Sequence, residues 1–242
     1  MVKLNLLDEI KYRFGFLTNT QTTILSAAGV LAVTSGLTAV LGLVKSRLLT
    51  AFFGISTDLT VFYTADRIPN IIYSLFVVGV LSTVFIPVYA DAVKKDSKSS
   101  NEIASMIINL GLIFLLIFGG IAFIFAKPLI NLISVYRFTP AELQLGINLM
   151  RIMLGAQIML LLGSFLTSLA QTHNYFLLPS LAPVIYNLSM ILGIVFLAES
   201  QGIYGPTYGI MLGAIAHFLI QAPLIKRIQF KYIFKISFKD IY

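Results

Sequence analysis

Long apolar runs divided by short charged or turn-forming clusters set the pattern of this chain, and each run has the length a helix needs to cross a bilayer. The clearest is Ile68 to Ala90, which contains no Lys, Arg, Asp or Glu. Extended back to Leu59 through further apolar positions, a helix over it spans roughly 50 Å at about 1.5 Å per residue, against a hydrocarbon core of about 30 Å. It must tilt, protrude or bend, and Pro69 supplies a bend by leaving the Ala65 carbonyl without its usual donor. The pattern predicts five more spans: about Ile24 to Val44, Ile103 to Ala126 stopped by Lys127 and Pro128, Leu143 to the polar cluster QTHNY (171–175), Leu177 to Ala198, and Tyr208 to Ile225. The punctuation agrees. Ser56, Thr57 and Asp58 form an N-cap cluster before the second span, and DAVKKDSKSSNE (91–102) reads as a polar loop. Thr139 with Pro140 starts the fourth span, and ESQGIYGP (199–206) turns the fifth into the sixth. The fold class is all-α: a polytopic membrane protein built as a six-helix bundle.

Two stretches flank the bundle. In residues 1–20, Leu6, Leu7, Ile10 and Phe14 fall at helical spacing between Lys3, Asp8, Glu9, Lys11 and Arg13, the pattern of an amphipathic interfacial helix. In residues 227–242, Arg227, Lys231, Lys235 and Lys239 recur every four positions among Phe230, Ile233, Phe234 and Phe238, which predicts a second interfacial helix with a basic stripe. Residues 21–226 between them form the transmembrane lobe. Within its first span Ala28, Ala32 and Gly36 predict a small-residue face against which another helix packs closely.

Composition sharpens this reading. Of 242 residues 58% are hydrophobic and only 11% charged, outside the range of soluble domains. The absence of cysteine excludes disulfides, thiolate metal sites and cysteine nucleophiles. The net charge of +7 raises nucleic acid as a partner, but the cations fall in loops and tails, where they bear on topology instead. With six spans Lys3, Lys11, Arg13, Lys94, Lys95, Lys98, Lys226, Arg227, Lys231, Lys235 and Lys239 share the side of the termini, and Lys45, Arg47, Lys127 and Arg137 the other. That excess places both termini in the cytoplasm. No phosphate loop, H-E-x-x-H or G-x-S-x-G motif is present, and His173 and His217 read as polar packing residues. Neither an enzyme nor a cofactor or metal is expected.

The charges inside spans are the candidate chemistry. Adjacent Asp66 and Arg67 point about 100° apart on a helix and cannot both face lipid cheaply. Either Pro69 breaks the helix near the interface and both reach headgroups, or Arg67 joins Lys45, Arg47 and Arg151 in a cationic cavity for an anionic substrate. Lys45 and Arg47 mark the end of the first span or lie in a longer helix lining that cavity. Arg151 belongs to it, or pairs with Glu142 or a headgroup.

The runs VLGLVKSRLLTAFFG (40–54), DRIPN (66–70), GVLSTVFIPVYAD (79–91), SLAQTHNYFLLPSLAPVIYNLSMI (168–191) and APLIKRIQFKYIFKISFKD (222–240), taken in order, resemble the MurJ (MviN) family. That family comprises lipid II flippases of the multidrug/oligosaccharidyl-lipid/polysaccharide exporter superfamily, with two six-helix lobes around a cationic cavity, and this chain is similar to the N-terminal lobe. The resemblance implies a protein of the bacterial cytoplasmic membrane that flips the lipid-linked peptidoglycan precursor by alternating access. Lys45, Arg47, Asp66, Arg67 and Arg151 are then its substrate-binding residues and Pro69 its hinge. Its partners are lipid II, membrane lipids and a second lobe or a second copy of the chain. Of the family's charged positions only Arg67 stands as expected. Lys45 replaces an Arg, Ala39, Tyr73, Ser74 and Val78 replace charged residues, and Asp58 lies two positions before Thr60, where the family has an acid. Two other outcomes stay open: export of another lipid-linked oligosaccharide, and a non-transporting scaffold descended from a flippase.

Overall fold

The structure, a computed structural model, describes residue 20 and residues 23–95, 97–135 and 137–234. The interfacial helix expected over residues 1–20 falls outside them save for Thr20, as do Lys235 and Lys239 of the basic tail.

Helix α1 runs Ile24–Phe53, with the Thr23 side chain accepting the Ser26 N–H at its start. It continues well past the end expected at Val44, because Lys45, Ser46 and Arg47 are compatible with a helix and Leu48 and Leu49 resume its apolar stripe. The stop comes at Gly54, whose φ of 60° lies in the region that favours glycine. Ser56 then caps α2 (Thr57–Phe76) by accepting the Leu59 N–H at 3.3 Å, as the polar cluster predicts, a contact worth about 1 kcal/mol.

α2 passes through Pro69, which is buried, and a second irregularity follows it, a π-helical segment Val77–Phe85 that leads into α3 (Ile86–Lys95). A proline removes one ladder bond, whereas the run Val77, Val78, Gly79, Val80 combines stiff β-branched residues with a glycine and weakens several successive turns. The expected polar loop is mostly helix too. α3 ends at Lys95 and α4 (Ser97–Ile124) begins two residues on, with Lys94 paired to Asp91 at 3.0 Å along the α3 surface. Lys127 and Pro128 likewise open a short helix, α5 (Ala126–Ile133), since a proline in a first turn removes a donor that has no partner there.

α6 (Pro140–Thr172) starts with the predicted Thr139 cap, to which Glu142 adds a reciprocal bond that was not expected. Thr139 accepts the Glu142 N–H at 3.3 Å while the Glu142 carboxylate accepts the Thr139 N–H at 2.7 Å, with Pro140 in the first turn. α7 (Leu177–Gln201) and α8 (Tyr204–Leu219) begin at the predicted turns, and a further turn at Ile220 and Gln221, inside the span expected over about Tyr208 to Ile225, sets off α9 (Ala222–Ile228). Among the described residues six stretches are long and apolar enough to span: Leu25–Phe53, Thr57–Lys94, Lys98–Ile124, Pro140–Thr172, Leu177–Gln201 and Tyr204–Ile228. The chain is a multi-pass membrane protein, all-α throughout what is described.

α6 is the axis of the bundle, touching α2, α4, α5, α7, α8 and α9. One core cluster gathers Val61, Phe62 and Ala65 of α2 around Leu149, Met150 and Met153 of α6. A second stacks Phe85 against Tyr89 and Phe165, each with ring centroids 5.1 Å apart. α7 and α8 approach most closely, because Gly193 and Gly209 leave no side chain between them. The small-residue face predicted on α1 does not play that role. Ala28, Ala32 and Gly36 are exposed, and nothing lies within 4 Å of a Cβ placed on Gly36. α1 leans on α7 and barely meets α2, which makes it the least buried span and leaves an opening along its inner side.

Candidate functional site

α1 turns one stripe toward that opening. Thr34, Thr38 and Lys45 lie within about 40° of one another around a helix of 3.6 residues per turn. Thr34 is buried, Thr38 and Lys45 half-buried. A groove of about 400 Å³ runs along the Thr34–Thr38 part of the stripe, lined by Thr34, Ser35 and Thr38 of α1, Thr167 and Gln171 of α6 and Ser180 of α7, and Lys45 stands beyond it, about two turns past Thr38. Four of its hydroxyl hydrogens are spent inside the fold: Thr34 donates to the Val30 carbonyl, Thr38 to that of Thr34, Thr167 to the Gln221 side chain and Ser180 to the Leu177 carbonyl. The oxygens that remain face the groove as acceptors.

Across from Lys45, α2 carries Asp66, Asn70 and Tyr73 on one face, the spacing of successive turns. The Asn70 amide donates to the Asp66 carboxylate at 2.6 Å, and the Tyr73 hydroxyl shares a hydrogen bond with Ser164 of α6. Lys45 and Asp66 feel each other's charge without direct contact, and Tyr186 of α7 lies within electrostatic reach of Asp66 and Tyr73. Lys45 sits roughly 12 Å from the end of α1 at Phe53, and Asp66 roughly 13 Å from the start of α2, at about 1.5 Å per residue. At that depth a charge is tolerated when it faces a wet groove rather than lipid.

The other expected site residues are arranged differently. Arg47 follows Lys45 by two positions and so points about 200° away, to the exposed side of α1. Arg67 lies about 100° beyond Asp66, opposite the buried stripe of Val61, Ala65, Pro69 and Ile72, and is exposed with no ion pair among the described residues. Arg151 is turned to the far side of α6 from Ser164. Its Nε donates to the Phe123 carbonyl at 3.4 Å and its guanidinium lies 4.6 Å over the Phe123 ring. Glu142 is occupied by the α6 cap and does not pair with it. Arg151 therefore ties α6 to α4, and Arg151→Gln is expected to lower stability by about 1 kcal/mol, the worth of a partly shielded cation–π contact. Thermal unfolding in detergent measures this; an unchanged midpoint removes Arg151 from the packing.

Asn70, Tyr73, Ser164 and Tyr186 complete the patch and are not apparent from charge. Asp66, Asn70 and Tyr73 do stand four and three apart, a helical polar stripe in an apolar span, and that spacing was the available signal. Ser164 and Tyr186 join through tertiary packing alone.

Known proteins share this sequence and architecture. The family model described as "Lipid II flippase MurJ" matches residues 49–241. A probable lipid II flippase MurJ of Buchnera aphidicola subsp. Acyrthosiphon pisum is 29% identical over 194 residues, covering 78% of this chain and 38% of the relative. The lipid II flippase MurJ of Thermosipho africanus is 27% identical over 215 residues, covering 88% and 44%. A solved structure titled "Lipid II flippase MurJ, inward closed conformation" superposes with a TM-score of 0.71 at 28% identity, covering 85% of this chain and 43% of that one. The chain spans about two fifths of the length of the curated relatives it matches.

Proposed function

This chain belongs to the lipid II flippase MurJ family, and from that premise we propose that it forms one lobe of a transporter carrying a lipid-linked diphosphate sugar, lipid II, across the bacterial cytoplasmic membrane by alternating access. The observation that carries this reading is Lys45, a half-buried cation on the same stripe of α1 as a hydroxyl-lined groove about two turns away. The diphosphate of the substrate meets Lys45 there, and sugar hydroxyls donate to the acceptor oxygens of Thr34, Thr38 and Thr167. The polyprenyl tail stays in the bilayer. Asp66 partly offsets Lys45 in the empty groove and orients it, so binding an anion does not leave a lone buried cation behind when the substrate departs.

Arg47 and Arg67 lie on outward faces of α1 and α2, where a second lobe, or a second copy of the chain, closes the chamber and brings them to the substrate. α1 is the span least covered by its own bundle, which supports a partner on that side. Pro69 and the π-helical segment after it let the second span flex as access alternates. The basic residues at the terminal side of the bundle, Lys94, Lys98, Lys226 and Arg227, support a cytoplasmic position for that side.

Translocation of fluorescent lipid II into proteoliposomes containing the full gene product tests this. Arg67→Ala is expected to slow transport about tenfold, the loss of one charge-assisted contact. Equal rates for the parent, Arg67→Ala and Lys45→Ala leave the substrate site without its residues.

A further inference from the structure

α9 does not extend into the basic interfacial helix expected of residues 227–242. Gln229 adopts φ 58° and ends it after Ile228, and residues 230–234 turn back along α4. The Lys231 N–H donates to Asn101 Oδ1 at 3.1 Å, the Ile233 N–H to Ser105 Oγ at 2.9 Å, and the Tyr232 hydroxyl to Asn109 Oδ1 at 2.6 Å. Asn101, Ser105 and Asn109 stand every four residues on one face of α4, so a single polar stripe holds the segment. The Phe230 ring meets Phe165 edge-on at 6.1 Å and anchors it to the second core cluster.

This segment helps to enclose a cavity of about 590 Å³ at the end of the bundle, which shares no lining residue with the groove beside α1 and is within the size range of ligand pockets, about 300–1,000 Å³. Lys226, Lys231, His173, Asn101, Ser100 and Gln229 form its polar side, Tyr89 and Phe230 part of its apolar side, and among the described residues no Asp or Glu lines it. The lysines and Asn101 supply donors. His173 Nδ1 lies 3.0 Å from the Leu169 carbonyl, which can only accept, so Nδ1 carries the proton of the neutral ring and Nε2 is left as an acceptor for a ligand hydroxyl. Asn101 has committed its oxygen to Lys231, which leaves its amide N–H₂ to donate.

We propose that this cavity binds a phosphate group, borne by a lipid headgroup or by a soluble phosphate ester, between Lys226, Lys231 and the Asn101 amide. Two ammonium groups and no carboxylate select an anion, lysine binds phosphate as a point charge, and basic pockets at the ends of membrane helices hold phosphate headgroups in this way. Because Lys231 and Phe230 belong to the returning segment, the ligand also fastens that segment to α4 and α6.

The test uses the full gene product in detergent and measures dissociation constants by native mass spectrometry for short-chain phosphatidylglycerol, with glycerol 3-phosphate as the chain-free competitor. The double variant Lys226→Gln, Lys231→Gln is expected to bind phosphatidylglycerol roughly 30-fold more weakly, at the usual worth of a cation near an anionic headgroup. The charge-matched pair Lys94→Gln, Lys98→Gln, exposed at the same end but outside the cavity, is expected to bind as the parent does. Asn101→Ala removes no charge but frees the segment that carries Lys231, and a several-fold loss is expected. Displacement of the lipid by glycerol 3-phosphate assigns the site to phosphate itself, and failure to displace it assigns the site to the lipid. Parent-like affinity in the Lys226, Lys231 double variant, or equal weakening in the charge-matched pair, overturns the proposal.

Discussion

Lys45→Glu is expected to abolish translocation, a loss of at least about 100-fold in rate measured with fluorescent lipid II in proteoliposomes. Losing a hydrogen bond to a charged group costs about 1.5–3 kcal/mol, and each 1.4 kcal/mol is a factor of ten. Reversal does more than remove the contact. It sets a second carboxylate within reach of Asp66, on the inward stripe of α1, in a region where charges are poorly screened. The incoming diphosphate then meets repulsion from both sides of the groove. Two companions separate this from misfolding. The exchange Lys45→Asp with Asp66→Lys moves the cation from α1 to α2 inside the same groove and is expected to recover part of the rate. Arg47→Glu, on the opposite side of α1, is expected to cost less than Lys45→Glu. If Lys45→Glu transports normally, or if Arg47→Glu is the more damaging of the two, the inward stripe of α1 is not where the substrate's charge is met.

How far the chain could be read in advance follows from which forces act locally. The spans and their caps were legible because hydropathy, N-cap chemistry and proline in first turns are properties of neighbouring residues: Ser56, Thr139 and Pro140 act where their spacing puts them. Helix ends set by a missing stop signal were less so. Lys45 to Arg47 looks like a boundary by charge, yet a helix continues through charged residues until something forces it to end, here Gly54. The site divides along the same line. Facing angles around a single helix already separate Lys45 from Arg47 and Asp66 from Arg67, a consequence of 3.6 residues per turn. The fate of Arg151 was not readable, because Phe123 comes from another helix and only packing brings its ring and carbonyl under the guanidinium. The tail is the same case. Its basic four-residue repeat is genuine, but Asn101 and Ser105 offer its backbone, and Asn109 its Tyr232 hydroxyl, partners that a solitary interfacial helix lacks.

The second large effect concerns α7 and α8, where Gly209→Leu is expected to lower the unfolding midpoint in detergent by roughly 6–12 °C. A Cβ on Gly209 would stand 2.8 Å from Met190 Cα, and one on Gly193 would stand 2.6 Å from the Gly205 carbonyl oxygen. The obstacles are backbone atoms and cannot rotate away, so the helices themselves must part. Overpacking costs about 3 kcal/mol at the upper end of its usual range, and for a chain of this size each kcal/mol shifts the midpoint by about 2–4 °C. Inside a bilayer no hydrophobic force draws α7 and α8 back together, because the lipid is as apolar as the side chains; close van der Waals approach is the attraction, and a wider gap forfeits it. The consequence reaches the groove, because α1 is held chiefly by α7, and α7 carries Tyr186 and Ser180. Gly120→Leu in α4 supplies the comparison. It adds the same side chain and the same gain in helix propensity at a position with nothing within 4 Å of the new Cβ, and its midpoint is expected to hold. Should Gly209→Leu melt with the parent, the α7–α8 contact is looser than the glycines imply and α1 must be positioned by something other than its lean on α7.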